Sequence, residues 1–176
     1  MRRRIAILSM IFLGLLASFS ISAGAFMMAT KSFHDQGALP VVYTCDDQNI
    51  SPELFWKNPP EKTRSFALIV ADPDAPGGTW YHWALYNIPK NTKTFPQNIH
   101  SLPQGTVTAL NSWGQAKYNG PCPPKGNAHH YIFTLYALDT LLNLPSNANA
   151  KDIMNAMKNH VLEQTQVTAM YSRWNK

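Results

Sequence analysis

The chain has 176 residues, of which 15 are Lys or Arg and 10 are Asp or Glu, giving a formal net charge of +5. Three of the basic residues are Arg2, Arg3 and Arg4, and the remaining lysines and arginines are scattered along the chain. Length fits one domain, and the absence of a basic cluster beyond the first residues argues against nucleic-acid binding.

The first 25 residues resemble a targeting signal. Arg2-Arg3-Arg4 is followed by an apolar run from Ile5 to Ile21 and by the small residues Ala23-Gly24-Ala25. This order is typical of a secretory signal peptide, here cleaved after Ala25. The alternative is an uncleaved membrane anchor, which the short apolar run disfavours. We therefore predict a periplasmic or secreted protein without stable membrane insertion after cleavage.

Cleavage would leave residues 26–176, a single domain of 151 residues with a net charge of +2. No internal repeat or long linker divides this segment. Export favours a disulfide between Cys45 and Cys122, because thiols in an oxidising compartment tend to pair. The alternative is two buried free thiols.

Short apolar segments bounded by Pro, Gly, Asn and Asp predict a mainly β domain. The best strand candidates are Leu54-Phe55-Trp56, Ser65 to Ala71, Trp80 to Ile88 and Tyr131 to Asp139. The last of these is largely apolar on both faces, which predicts a strand in the middle of a covered sheet.

The C-terminal region predicts one helix and one strand. The helix runs from about Asn149 to Gln164, is capped by Asn147 or Asn149, and turns Ile153, Met157, His160 and Val161 inward. After it, Val167, Ala169 and Tyr171 alternate as a short terminal strand would.

A proline-punctuated loop, Asp72-Pro73-Asp74-Ala75-Pro76, follows the second predicted strand. Prolines at 73 and 76 fix the backbone, so both aspartates lie on a stiff loop at a strand end, where binding residues are often found. The alternative for Asp74 is a turn whose carboxylate bonds nearby backbone amides. Eight residues beyond Asp74, His82 shares a strand face with Trp80, and a hairpin would bring it close to Asp72.

A second stiff loop runs from Gly120 to Gly126 and contains Pro121, Cys122, Pro123 and Pro124. Backbone amides such as that of Cys122 could point at an anion, and His129 and Tyr131 then share one face of the next strand, with His130 opposite. Imidazole, phenol, carboxylate and backbone N–H groups together suit phosphate or carboxylate binding. The Asp72 carboxylate would fit best if it accepted a proton from a monoprotonated phosphate or faced an ammonium group of the ligand.

Several motifs occur in order along the chain and together resemble the phosphatidylethanolamine-binding protein family, especially its bacterial Raf-kinase-inhibitor-like branch. The motifs are Asp72-Pro73-Asp74-Ala75-Pro76, Trp80-Tyr81-His82-Trp83, Gly120-Pro121-Cys122-Pro123-Pro124-Lys125-Gly126, and His129-His130-Tyr131 followed by Phe133 to Asp139. The resemblance covers essentially all of residues 26–176.

This resemblance implies a β-sandwich with a large central antiparallel sheet, a C-terminal helix and a small pocket for a phosphorylated or anionic head group. No metal or cofactor is expected. The implied ligand-binding residues are Asp72, Trp80, His82, Cys122, Pro123, His129 and Tyr131. Residues implied to shape the loops are Asp74, Pro76, Gly120 and Gly126.

The chain departs from animal members of that family in two ways. Only Gly77-Gly78-Thr79 separates the aspartate loop from the histidine strand, where animal members have a longer insertion. Predicted export also excludes a bacterial cytosolic kinase as the native partner. Bacterial relatives suggest a homodimer.

The favoured function is non-catalytic binding of a small anionic or phosphorylated ligand. One alternative is inhibition of a protease or another extracytoplasmic or host signalling enzyme. A zinc-dependent or acid-base hydrolase using Asp72, His82, Cys122 and His129 is disfavoured, because the loops contain no Ser or Thr nucleophile. Residues outside the motifs are expected to pack or lie on the surface: Trp56, Trp113, Trp174, His34, His100 and His160.

Overall fold

The structure, a computed structural model, describes residues 24–173. Nearly all of the predicted signal segment, and Trp174, lie outside the described residues. Within residues 24–173, no helix is long and apolar enough to cross a membrane.

The described chain forms two β-sheets, one α-helix and one short 3₁₀ helix at Val41–Tyr43. A small antiparallel sheet has the order β1-β3-β6, with β1 Met27–Ala29, β3 Leu54–Lys57 and β6 Thr94–Phe95. A larger sheet has the order β2-β9-β8-β4-β5-β7 and is antiparallel except for the β2–β9 pair. Its strands are β2 Gly37–Ala38, β4 Ser65–Asp72, β5 Trp80–Pro89, β7 Val107–Thr108, β8 His129–Leu138 and β9 Val161–Tyr171. The predicted mainly β sandwich with a large central sheet is confirmed.

The large sheet is covered on both faces, which explains its apolar central strands. On one face, Phe66 and Leu68 of β4 join a core that includes Trp56 and Phe95 of the small sheet. On the other face, Ala67 and Ile69 pack in a second cluster with the helix. β8 lies between β9 and β4, as the apolar pattern of Tyr131 to Asp139 predicted.

The helix is shorter than its sequence pattern predicted. Helix α1 spans Ala150–Ala156, and Val161–Tyr171 forms strand β9 instead of a continuation of the helix. Pairing with β8, which sets Val161 opposite Leu138, supplies the ladder that favours the strand. The predicted inward positions Ile153 and Met157 are buried, whereas His160 and Val161 are exposed.

The start of α1 matches one of the two predicted caps. The Asn149 side chain accepts hydrogen bonds from the N–H groups of Lys151 and Asp152, and the Asp152 carboxylate accepts one from the N–H of Asn149. This reciprocal pairing is a capping box, and it satisfies N–H groups that the helix itself leaves unpaired.

Candidate functional site

One end of the large sheet carries a cavity of about 290 Å³. Antiparallel pairing brings the end of β4 beside the starts of β5 and β8: Asp72 is opposite Trp80, and Ala71 is opposite Ile132. The two proline-rich loops leave the sheet at this end and complete the walls. The lining residues are Asp72, Ala75, Pro76, Gly77, Trp80, His82, Trp113, Cys122, Pro123, Pro124, His129 and Tyr131. The structure thus brings together all seven residues that the resemblance implied for the pocket.

The carboxylate of Asp72 is occupied by protein donors. Its Oδ2 lies 2.8 Å from Nδ1 of His129, and its Oδ1 accepts a hydrogen bond of 2.8 Å from the N–H of Asp74. Asp72 and His129 are both buried. Each carboxylate oxygen thus accepts one hydrogen bond from the protein, and the expectation that Asp72 also meets a proton or an ammonium group of the ligand stays a prediction.

His82 is held by its other ring nitrogen and by aromatic neighbours. Its Nδ1 donates to the carbonyl of Asn119 at 2.7 Å, and its ring contacts Trp113 and Tyr131 edge-to-face, with centroid distances of 5.1 and 5.2 Å. Burial lowers the pKa of His82, because desolvation outweighs the stabilisation of the charged ring by the Asn119 carbonyl and the Asp72 charge. The ring is therefore neutral near pH 7.

Two buried polar atoms of this site have no hydrogen-bond partner among residues 24–173. They are Nε2 of His82 and the hydroxyl of Tyr131. Burial, followed by the nearby Asp72 charge, raises the pKa of Tyr131, so its hydroxyl stays protonated. Buried polar groups nearly always have a partner, and both of these side chains line the cavity. They are the atoms best placed to meet a bound molecule.

The second loop is pinned to the segment before β3. Cys45 and Cys122 form a disulfide, which confirms the predicted pairing. The N–H of Cys45 donates to the carbonyl of Pro121 at 3.0 Å, and the N–H of Gly120 donates to the Asn49 side chain at 2.7 Å. The cavity wall at Cys122 and Pro123 therefore rests on a covalent anchor.

The remaining loop residues hold the cavity from outside or at its edge. The Asp74 carboxylate accepts hydrogen bonds of 2.7 Å from both the N–H and Nδ1 of His130, and these bonds lower the pKa of Asp74. Pro76 lines the cavity itself. Gly126 has φ = +140°, a conformation that favours glycine. Asp74 thus joins the first loop to β8 on the strand face opposite His129.

Trp113 was expected to be a packing residue, and its place at the cavity was missed. It is 39% exposed, and its ring meets the 37% exposed Trp80 edge-to-face at 5.3 Å. The sequence signal that could have placed Trp113 at the site is the asparagine two residues before it, which favours a turn. The buried Asn111 side chain accepts from the N–H groups of Trp113 and Gln115, as asparagine does in turns. A tryptophan in such a turn lies on a loop and can reach a site.

The charge of the lining is unusual for an anion site. Its described residues include one carboxylate and two histidines but no Lys or Arg. The described residues also contain no group of three His, Cys, Asp or Glu side chains arranged to hold a metal. Any attraction for an anion must therefore come from imidazole, hydroxyl, indole N–H and backbone groups.

Fold and cavity define a β-sandwich protein with a small site at one end of its larger sheet, in which Asp72, His82 and His129 are buried. A family model for phosphatidylethanolamine-binding protein matches residues 29–172. The chain therefore belongs to the phosphatidylethanolamine-binding protein family, as the motifs indicated.

Relatives and solved structures agree with that assignment. A UPF0098 protein of Methanothermobacter thermautotrophicus is 44% identical over 149 residues, covering 83% of this chain and 98% of the relative. A UPF0098 protein of Aquifex aeolicus is 39% identical over 166 residues, covering 90% and 97%. The crystal structure of Escherichia coli YbcL, described as a new member of the mammalian family, has a TM-score of 0.80 at 32% identity, covering 84% and 98%.

Proposed function

We propose that this protein is exported and binds a small anionic or phosphorylated head group in the cavity without chemical turnover. The observation that carries the proposal is the pair of buried, unpartnered atoms, His82 Nε2 and Tyr131 hydroxyl, beside the Asp72–His129 pair in one cavity. At about 290 Å³ the cavity is at the lower limit of sites for drug-sized ligands, which suits a head group. The family name points to phosphorylethanolamine as one probe.

The side chains that line the cavity do not favour chemical turnover. The described lining residues include no Ser, Thr or Lys, and their one cysteine, Cys122, is in the disulfide. A histidine paired with a carboxylate needs a nucleophile or a positioned water to form a covalent or hydrolytic centre, and the lining supplies no side-chain nucleophile of that kind. Recognition by hydrogen bonding is the chemistry that remains.

Export is supported by the order of basic, apolar and small residues before Phe26 and by the disulfide, since such bonds persist in oxidising compartments. Expression of the full chain in a bacterial host tests this part. We expect the periplasmic protein to begin at Phe26 by N-terminal sequencing, and retention of residues 1–25 on a membrane-bound product would contradict it.

Binding is tested by calorimetric titration of residues 26–176 with inorganic phosphate and with phosphorylethanolamine. We expect His129→Ala to weaken binding at least about tenfold, the effect of losing one hydrogen bond to a charged ligand. His160→Ala is the matched control, because His160 is an exposed histidine paired with Asp139 outside the cavity. Equal affinity in all three proteins, with unchanged thermal unfolding, would refute the site.

A further inference from the structure

The protein fixes the hydrogen-bonding roles of both cavity histidines. Nδ1 of His82 faces the Asn119 carbonyl, and Nδ1 of His129 faces the Asp72 carboxylate. Because both oxygens accept, each Nδ1 carries a hydrogen, and in the neutral ring Nε2 is then a lone-pair acceptor. Within the described chain, Nε2 of His82 is buried without a hydrogen-bond partner. The lone pair of His82 Nε2 is thus left for a ligand.

The charged and titratable groups around these rings do not favour a bare anion. The Asp72 carboxylate at the end of β4 is hydrogen-bonded to His129 and interacts electrostatically with His82. Asp74 in the following loop interacts electrostatically with His129. Tyr131 of β8 contacts both rings and stays neutral. From the second loop, only the disulfide and prolines line the cavity. With a neutral His82, the titratable side chains therefore offer one hydroxyl donor, one imidazole acceptor and one negative charge.

We propose that the cavity selects oxyanions that bring a hydrogen-bonding proton, namely monoprotonated phosphate and its monoesters, over oxyanions without one. The proton lies between a ligand oxygen and an imidazole Nε2, while the Tyr131 hydroxyl donates to a second ligand oxygen. An oxyanion without a proton, such as sulfate, binds only after a histidine takes one up from solvent. This inference rests on the proposed function and names the ligand class of the same site.

The consequence for pH has a definite sign. The second ionisation of a phosphomonoester has a pKa of about 6, so the monoprotonated fraction falls about tenfold per pH unit above that value. Apparent affinity for the monoester should fall with the same slope. Sulfate affinity should rise as the pH falls and a histidine becomes charged, although burial lowers the pKa of His82 and so opposes that step. Inorganic phosphate keeps at least one proton throughout this pH range, so its affinity should differ from that of sulfate most at alkaline pH.

The experiment compares inorganic phosphate with sulfate by calorimetry of residues 26–176 at pH 8 and pH 5.5, each in two buffers of different ionisation enthalpy. At pH 8 inorganic phosphate is mainly HPO4²⁻, which already carries one proton, so we expect it to bind without proton uptake. Sulfate should bind at least about tenfold more weakly and take up about one proton per site, with a smaller difference in affinity at pH 5.5. Equal affinities at pH 8, or proton uptake as large for phosphate as for sulfate, would overturn the inference alone. Failure of phosphate to bind at either pH would overturn the proposed function as well.

A variant tests the role of His82 directly. His82→Gln replaces the imidazole lone pair with an amide N–H, which can donate a hydrogen bond without taking up a proton from solvent. Sulfate affinity at pH 8 should therefore approach that of phosphate. His160→Gln, outside the cavity, should leave the ratio unchanged. A folded His82→Gln protein with the wild-type ratio would overturn the assignment of His82 as acceptor. If this variant does not fold, the buffer comparison on the wild-type protein decides.

Discussion

Two aspartates separated by one proline have different roles in the first loop. Asp72 is buried and accepts from His129, whereas Asp74 is 41% exposed at its side chain and accepts from His130. Neighbouring residues of β8 point to opposite faces, so the two carboxylates hold the same strand start from both sides. Asp72 is a positioning residue that fixes the His129 tautomer, and Asp74 fixes the loop to β8.

The hydrogen bonds between Asp74 and His130 should contribute stability that depends on pH. Hydrogen bonds from His130 lower the pKa of Asp74 below its ordinary value of 3.8. A carboxyl group whose pKa is lowered by folding stabilises the protein above the unfolded pKa, and this stabilisation is lost as the pH falls through the folded pKa. We expect Asp74→Asn to cost about 0.2–1 kcal/mol at pH 6, typical of an exposed pair. Thermal melts should show that the difference from wild type shrinks as the pH falls below 3.8; a difference that stays constant over the acidic range would contradict this reading.

Gly120 is required by close backbone approach. A Cβ at this position would collide with the carbonyl oxygen of Tyr43 and lie 2.7 Å from the Asn49 side-chain oxygen. We expect Gly120→Ala to lower the unfolding free energy by about 1–3 kcal/mol, the usual range for overpacking. The matched control is Gly77→Ala, because a Cβ there meets nothing within 4 Å. Urea unfolding of both variants measures the contrast, and equal stability of the two would show that the second loop relaxes freely.

At the scale of elements, competition between helix and strand decides the C-terminal region. Apolar residues at helical spacing continue past Met157, which is why the sequence predicted a helix to Gln164. Residues 161–164 instead pair with the end of β8, and Asp139 and His160 close the turn at 2.8 Å. A local periodicity cannot report a neighbouring strand that is distant in sequence, so the shortening of α1 was not predictable from it.

A seven-residue helix should depend strongly on its capping box. We expect Asn149→Ala to cost about 1 kcal/mol, because the N–H groups of Lys151 and Asp152 lose their acceptor. Asn155→Ala replaces an exposed asparagine in the same helix that caps nothing, and should be neutral or slightly stabilising. Differential scanning calorimetry compares the two variants. A loss in Asn155→Ala as large as that in Asn149→Ala would point to the packing of α1 rather than its cap.

The sequence predicted the long strands and most of the site residues, but it did so through different signals. Strands β4, β5 and β8 were predicted within two residues at each end, because eight to ten residues of apolar pattern leave little ambiguity. Strands of two or three residues, such as β2 and β7, carry no measurable periodicity and were not predicted. Pocket residues came from ordered motifs, whereas Trp113 stood outside them. Its contact with His82 depends on a turn that only the folded chain brings to the cavity.

At the scale of the whole molecule, one disulfide links the two ends of a chain segment that contains five of the nine strands of the described chain. The Cys45–Cys122 disulfide spans 77 positions, and strands β3 to β7 of both sheets lie between its ends. Arg173, just after β9, bonds the Asp46 carboxylate through its guanidinium and lies 3.9 Å from the Cys122 sulfur. Three distant parts of the chain therefore meet beside the cavity wall.

Loss of the disulfide should weaken both the fold and the site. A cross-link that closes a loop of this size restricts the unfolded chain, and its removal typically costs about 2–4 kcal/mol. We expect Cys45→Ala with Cys122→Ala to lower the unfolding free energy by that amount in urea, and phosphate affinity to fall because Pro123 and Pro124 lose their anchor. Reductant should bring the wild-type protein to the stability of the double variant and leave the variant unchanged. If the double variant were less stable but bound phosphate as tightly as the wild type, the second loop would be held by its hydrogen bonds to Asn49 and His82, and the disulfide would serve stability alone.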